Sequence, residues 1–524
     1  MWKPVIARAI CGALPITALS AALAAASPSA GEARPAAPSP PQPAAPAAPK
    51  PAPAAAQPAA AQPAPPAAPG AAPVIQPSNV FSYERFGKVS VYRGKEAPRE
   101  FVLFLSGDGG WNKGVLSMTQ RLVDRGALVA GIDNSHYLAE LARAPGNCVS
   151  PAVDLENLSH FLQSKLGFTT YMQPTLVGYS SGATLAYMTL AEAPDGLFKG
   201  VLTLGFCTDL ELAKPVCKGS GLESRPVLDA QGQAKGAQLI PTKRVSSPWV
   251  SLQGELDQVC RAAPAKTFME KISGAETVPL PLVGHGYAVE RHWGEQFDAA
   301  FARVTGTAGA AAAARGSPVA NLPLTVVPAA GGGTSPWFAI FLSGDGGWVG
   351  LDKGVSQALA RAHIPVVGWD SLKYFWSART PDGTARDLDR VLAYYSRLWG
   401  KSHALLVGYS QGADTLPFMV NRLPPATRGM VGLTALLGLS RNADFQFHFS
   451  NWMRESTGGL PTMPELERWR GSPYLCLYGA QDGDAVCAKL AGKDGTSVRM
   501  PGGHHFSGGY RQIAAEILRR LPPA

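Results

Sequence analysis

The sequence holds little that would anchor it in a bilayer, clamp it to nucleic acid or bind a metal. Beyond the first thirty residues no run of about 18 uninterrupted apolar residues occurs, so no spanning helix is expected there. The net charge of +9 is spread over 524 residues without a dense Lys/Arg block, and nucleic acid is therefore not an expected partner. Such a mild positive excess suits an anionic lipid surface or a cell-envelope polymer. No Walker loop, no dinucleotide fingerprint at a strand end and no zinc-ligand spacing is present, so neither cofactor nor metal is expected. Cysteine is scarce, seven in all, and Cys11 lies in the N-terminal apolar segment. The others are even in number, which suits disulfides in an oxidising compartment. Cys476 and Cys487 bracket one loop and are paired on that ground. Cys260 is assigned to Cys148 and Cys207 to Cys217, one choice among several.

What is present is ordered along the chain. Lys3 and Arg8 precede an apolar run from Ala9 to about Leu23, and "ALAAAS" offers small residues for cleavage near Ala24 or Ala26. Residues 1–26 thus read as a secretory leader. A lipid anchor on Cys11 would need a small residue where Ile10 stands. Residues 27–78 form a Pro/Ala-rich linker with Lys50 as the only charge from Pro35 to Pro77, a composition that builds no core. At ~3.1 Å per residue in polyproline II it could reach on the order of 100 Å. A soluble protein exported to the periplasm is expected.

One octapeptide, "FLSGDGGW", occurs at Phe104 to Trp111 and again at Phe341 to Trp348. Other landmarks recur in the same order. "LVGYSSGA" from Leu176 answers "LVGYSQGA" from Leu406, "SPWVSLQGELDQVC" from Ser247 answers "SPYLCLYGAQDGDAVC" from Ser472, and "LVGHGY" from Leu282 answers "PGGHHF" from Pro501. Four landmarks in one order indicate an internal duplication. The halves are placed at 79–305 and 318–524, joined by an Ala-rich linker at 306–317.

In the second half, strand-like runs at Trp337 to Leu342, Ile364 to Trp369, His403 to Gly408, Met430 to Leu439 and Pro473 to Tyr478 alternate with helical stretches at Lys353 to Ala362 and Thr384 to Leu398. This pattern predicts an α/β fold, a parallel sheet flanked by helices, present twice in tandem. On it "LLVGYSQGA" is a strand ending in Gly-x-Ser-x-Gly and turning into a helix, the nucleophile elbow, with Ser410 at its apex and Ser180 in the first half. The elbow requires an acid and then a histidine further along. Asp484 or Asp482 and His504 or His505 supply them. Counting back from Cys487 favours Asp484, whereas counting forward from the preceding glycine favours Asp482; "GH" aligns His504 with His285. The first-half set is Ser180, Asp257 and His285. In this logic the histidine removes the serine proton and the aspartate orients it. "FLSGDGGW" then reads as the loop that completes an oxyanion hole, with donors near Gly344 or Asp345 and at the N–H of Gln411.

With "FLSGDGGW", "YFWSARTPD", "GYSQGADTLPF" and "PGGHHF" in order, the second half resembles the AcvB/VirJ family of bacterial virulence proteins, and the first half does so more loosely. The resemblance implies a tandem α/β-hydrolase in the periplasm that hydrolyses the aminoacyl ester of lysyl-phosphatidylglycerol, meeting the aminoacylated lipid at the membrane surface. It also implies a link to virulence and type IV secretion, whose periplasmic components would be partners. For the lysyl cation the candidates are Asp414, one turn into the elbow helix, and Asp482. Asp414 could equally serve as a first-turn charge on the helix dipole. Tyr374 and Trp376 of "YFW" are candidates for the headgroup or acyl entrance, replaced by Tyr137 and Ala139 in the first half; core packing is the competing reading. The activity is expected mainly in the second half, the first serving as a site of other specificity or as a binding module. A general secreted carboxylesterase and a non-enzymatic periplasmic adaptor are the rival readings.

Overall fold

The computed structural model describes residues 75–306, 317–332, 335–447, 459–490 and 495–523. The leader, nearly all of the Pro/Ala-rich segment and most of the Ala-rich linker lie outside them.

The first half contributes β1 (Asn79–Tyr83), β2 (Gly87–Tyr92), β3 (Glu100–Leu105), β4 (Ala127–Ile132), β5 (Thr175–Tyr179), β6 (Val201–Leu204), β7 (Asp209–Leu210), β8 (Glu223–Leu228), β9 (Ala234–Ile240), β10 (Arg244–Gly254) and β11 (Ser273–Leu280). Eight of these form one sheet in the order β1-β2-β4-β3-β5-β6-β10-β11, antiparallel at the β1/β2/β4 edge and parallel onward from β4. The second half repeats it with β12 (Leu324–Val327), β13 (Trp337–Leu342), β14 (Val366–Trp369), β15 (His403–Tyr409), β16 (Val431–Leu437), β17 (Asn442–Ala443), β18 (Leu460–Pro461), β19 (Tyr474–Gly479) and β20 (Gly495–Met500). Its main sheet runs β12-β14-β13-β15-β16-β19-β20. This order, with an elbow after β5 and again after β15, is the α/β-hydrolase fold, present twice.

The strands form where the sequence is apolar without alternation, because helices cover both faces of the sheet. Every residue of β3, β4 and β13 is buried. The halves differ in what they insert before β10 and β19: a three-stranded sheet, β7-β9-β8, in the first, and the short β17-β18 pair in the second.

Most of the repeated octapeptide is explained by packing. Ser106 Oγ accepts the N–H of Asn134 at 3.1 Å, and Ser343 Oγ accepts that of Ser371 at 2.9 Å, pinning each loop to the start of the helix that follows the neighbouring strand, β4 or β14. The terminal Trp packs against a glycine of the neighbouring strand. A methyl group on Gly131 would stand 2.1 Å from the Trp111 ring, and one on Gly368 2.3 Å from Trp348. Trp and strand glycine are therefore one packing unit made twice.

The three disulfides are Cys148–Cys217, Cys207–Cys260 and Cys476–Cys487. The last follows the sequence expectation; the first two correct it. A main-chain bridge between Val149 and Val216 sets Cys148 beside Cys217. Cys207 and Cys260 leave the C-terminal ends of β6 and β10, which are sheet neighbours, so their loops meet.

The two halves pack on each other through the "YFW" segment. Trp376 donates its indole N–H to Phe168 O at 2.7 Å, Ser377 donates its hydroxyl to Thr169 O at 2.8 Å, and Tyr171, Leu372, Trp376 and Phe447 form a small buried cluster. Among the described residues no helix is long and apolar enough to cross a membrane.

Candidate active site

Ser180 and Ser410 sit at φ 57° and 51°, the left-handed region that a serine rarely occupies. The turn is made tight by flanking glycines. A methyl group on Gly182 would lie 2.3 Å from the carbonyl oxygens of Leu105 and Ser106, and one on Gly412 2.3 Å from that of Leu342. The strained turn lifts each hydroxyl to the end of the sheet, at the start of a wholly buried helix, Ser181–Glu192 or Gln411–Asn421. The unpaired N–H groups of a helix start favour negative charge there.

In the first half the expected partners are assembled. Ser180 Oγ is 2.9 Å from His285 Nε2, and His285 Nδ1 is 2.8 Å from Asp257 Oδ2. Asp257 is 2% exposed, and its other oxygen accepts the N–H groups of Val259 and Cys260, each at 2.8 Å. The loop carrying His285 is braced by Tyr179, whose hydroxyl donates to His285 O at 2.8 Å.

In the second half His504 Nδ1 is 2.8 Å from Asp482 Oδ2. Asp484, which the cysteine count favoured, is exposed and faces this pair only through its N–H, 3.4 Å from Asp482 Oδ1. The correction has a plain origin. The end of a strand fixes position, so the third residue after Gly254 and Gly479 is the same place in both halves; Cys260 and Cys487 belong to different disulfides and are not counterparts. His505 bonds instead to the Tyr409 hydroxyl at 2.6 Å, a brace like that of Tyr179, and burial lowers its pKa, with the neighbouring His504 acting in the same direction. Among the described residues no hydrogen bond joins Ser410 to His504.

The octapeptide loops run directly beside the two elbow serines. A methyl group on Gly107 would lie 3.1 Å from Ser180 Cβ, and one on Gly344 3.4 Å from Ser410 Cβ. Gly344 and Gln411 are thus both next to Ser410, where the donors of an oxyanion hole would have to stand. Asp345 follows Gly344 in the same loop. Burial raises its carboxyl, against hydrogen bonding from its own N–H and that of Gly346 and the attraction of His504. Asp108, its counterpart, is exposed.

Four proposed binding residues are placed elsewhere. Asp414 is buried, and its Oδ1 accepts the N–H of Ser440 at 2.7 Å; burial raises its pKa well above the usual carboxylate value. Thr184 holds the same place in the first half, where its Oγ1 accepts the N–H of Cys207 at 3.3 Å and donates to Cys207 O at 3.0 Å. The position is a tether from the elbow helix to the end of the next strand, filled by two different side chains, which is why comparison of the halves suggested a specificity difference. Asp482 is taken up by His504. Tyr374 is 1% exposed and bonds to Asp387 at 2.5 Å, as Tyr137 bonds to Asp154 at 2.9 Å, so it belongs to the core. Trp376 lies in the contact between halves. Sequence reasoning missed the tether and the Trp–Gly packing; the Gly in "AGID" and "VGWD", repeated at one distance from the octapeptide, was the available signal for the latter.

Among solved structures, a putative dienelactone hydrolase from Klebsiella pneumoniae subsp. pneumoniae is 14% identical, covering 43% of this chain and 97% of its own, with a TM-score of 0.32. An α/β serine hydrolase without lid from Xanthomonas campestris is 14% identical, covering 45% and 97%, with a TM-score of 0.30. An α/β serine hydrolase homologue from Coxiella burnetii is 15% identical, covering 45% and 99%, with a TM-score of 0.29. No curated protein matches the chain. The bacterial virulence protein family VirJ matches residues 99–214 and 336–523, segments that lie in both halves, carry both elbows and together make up more than half of the sequence, and the chain belongs to that family.

Proposed function

We propose that the protein is an exported serine ester hydrolase that releases lysine from lysyl-phosphatidylglycerol, with Ser180 as its principal nucleophile. The observation that carries the reading is the unbroken chain Ser180–His285–Asp257, joined at 2.9 and 2.8 Å. His285 takes the serine proton as Oγ attacks the ester carbonyl, and Asp257 holds the imidazole in position. The tetrahedral oxygen is received by backbone N–H groups at Ser181 and in the Gly107 loop. Collapse expels the glycerol hydroxyl, protonated by His285, and water then frees lysine from the acyl-enzyme. Sequence comparison pointed to the second half. The assembled relay favours the first, with Ser410 as a second nucleophile.

A lipid substrate is supported by the rim of the first site. Leu256 and Val259 flank Asp257 and are 56% and 66% exposed; Leu282 and Val289 flank His285 and are 65% and 40% exposed. The adjacent loops are joined where Leu256 N–H donates to Val283 O at 3.0 Å. Counting from the same strand-end glycine and histidine, the second half has Gln481, Asp484, Pro501 and Gly508 at these places. An apolar rim around an esterase site suits an acyl-lipid surface, and the net charge of +9 suits an anionic one. For the α-ammonium of the aminoacyl group the candidate partner is Asp108, exposed on the loop whose Gly107 lies beside Ser180.

The test is lysine release from lysyl-phosphatidylglycerol vesicles alongside hydrolysis of a neutral short-chain ester. Asp108→Asn is expected to lower the first more than the second. Turnover of the neutral ester alone would point to a general carboxylesterase.

A further inference from the structure

The acid of the first site is tied to the nucleophile by a second route. Thr184 lies on the first turn of the helix that begins next to Ser180, and it bonds both main-chain groups of Cys207 at 3.0 and 3.3 Å. Cys207 is disulfide-linked to Cys260. The N–H of Cys260 donates to Asp257 Oδ1 at 2.8 Å, and Asp257 reaches back through His285 to Ser180. The circuit closes on itself. Gln253 stiffens it from inside, accepting the N–H of Phe206 at 3.1 Å and donating to Cys260 O at 2.6 Å.

The second half provides the comparison within the same molecule. Asp414 bonds Ser440 at 2.7 Å, so the helix tether is kept, but serine stands where the bridging cysteine would be. The loop carrying Asp482 is joined to the strand end by one main-chain bond, Val486 N–H to Leu439 O at 2.9 Å, while Cys487 pairs with Cys476 of β19. Asp482 Oδ1 has an N–H at 3.4 Å, where Asp257 has two at 2.8 Å. The relay reaches the serine in the half whose circuit is closed by a disulfide; in the other half the Ser–His bond is missing.

Resting on the proposal that Ser180 is a working nucleophile, we infer that Thr184 and the Cys207–Cys260 disulfide are positioning residues for the first site, so that the oxidation state of this one bond sets Ser180 activity. A dithiol reductant delivers two electrons and two protons, turning the disulfide into two thiols while the dithiol closes to its own disulfide. The Asp257 loop is then held to the elbow helix through side-chain and main-chain bonds alone. A misplacement of about 1 Å in such a relay lowers turnover roughly 10²-fold.

The experiment uses the full chain carrying Ser410→Ala and follows both ester turnover and covalent labelling of Ser180 by a fluorophosphonate. Cys207→Ala/Cys260→Ala is expected to lower kcat and the labelling rate on the order of 10²-fold with KM nearly unchanged. Cys148→Ala/Cys217→Ala, which removes the other disulfide of the same half, should leave both rates within about 3-fold; a loss caused merely by weakened folding would appear in both pairs. Dithiol treatment should slow the parent and reoxidation should restore it, with no effect on Cys207→Ala/Cys260→Ala. Thr184→Val keeps the disulfide and should still lower kcat, and Thr184→Ser should rescue it. Ser180 that labels normally and stays equally fast without the Cys207–Cys260 bond overturns the inference while leaving the hydrolase reading intact. A wild type in which Ser180 neither labels nor turns over ester overturns both.

Discussion

Asp482 Oδ2 lies 2.8 Å from Nδ1 of His504, the same separation that joins Asp257 to His285. Both aspartates stand three residues after the glycine that ends their strand, Gly479 and Gly254. If the second site reacts, its acid is Asp482. Asp482→Asn in a Ser180→Ala background is expected to slow fluorophosphonate labelling of Ser410 by roughly 10²-fold or more, whereas Asp484→Asn should change it less than about 2-fold. The reverse ranking would restore Asp484.

The Trp–Gly units make a stability prediction. With the Trp348 ring 2.3 Å from where a methyl group on Gly368 would be, Gly368→Ala must displace the ring or the strand. A cost of about 1–3 kcal/mol is expected by denaturant unfolding, and Gly131→Ala should behave alike.

Asp414 and Thr184 can be exchanged in thought because each receives an N–H from the end of the neighbouring strand. Asp414→Ala leaves the Ser440 N–H without that acceptor and should cost about 1–3 kcal/mol. Asp414→Thr, copying the first half, should recover part of it. A lysyl-reading role for Asp414 predicts instead unchanged stability with a raised KM for cationic esters.

Glu156, on the helix Pro151–Lys165, is half-buried, and its carboxyl is pushed up from its usual 4.5 to about 8, by burial first and then by the charge of Asp345 in the other half. The folded protein therefore holds this proton more tightly than the unfolded chain. Its contribution to stability is full below pH 4.5 and is lost as pH rises toward about 8. Glu156→Gln should remove that slope: the stability of wild type minus variant is expected to fall across this window and level off above it, as read from urea midpoints at a series of pH values.

The fold was legible because buried parallel strands leave uninterrupted apolar runs. The run Trp337 to Leu342 coincides with β13, and the elbows were marked by glycines whose spacing the turn demands. Local motifs led to the residues that the geometry brings together, Ser180 with His285 and Asp257 in the first half, and to His504, which pairs with Asp482 in the second. They failed where three dimensions decide. Asp484 was chosen on a cysteine register that disulfide pairing does not respect, and Tyr374 and Trp376 looked like an entrance because aromatics read alike in a core, a contact between halves and a pocket. Asp414 differed from Thr184 in charge, yet the geometry uses both as acceptors. Such equivalence between unlike side chains cannot be read from one sequence.

The most direct test is lysine release from lysyl-phosphatidylglycerol vesicles by the wild type, Ser180→Ala, Ser410→Ala and the double variant, each verified as folded. The account predicts that Ser180→Ala loses most of the release, by roughly 10³-fold or more, while Ser410→Ala retains the larger part. Full release by Ser180→Ala with loss in Ser410→Ala would contradict it and return the chemistry to the second half, and no release by the wild type would remove the lipid assignment.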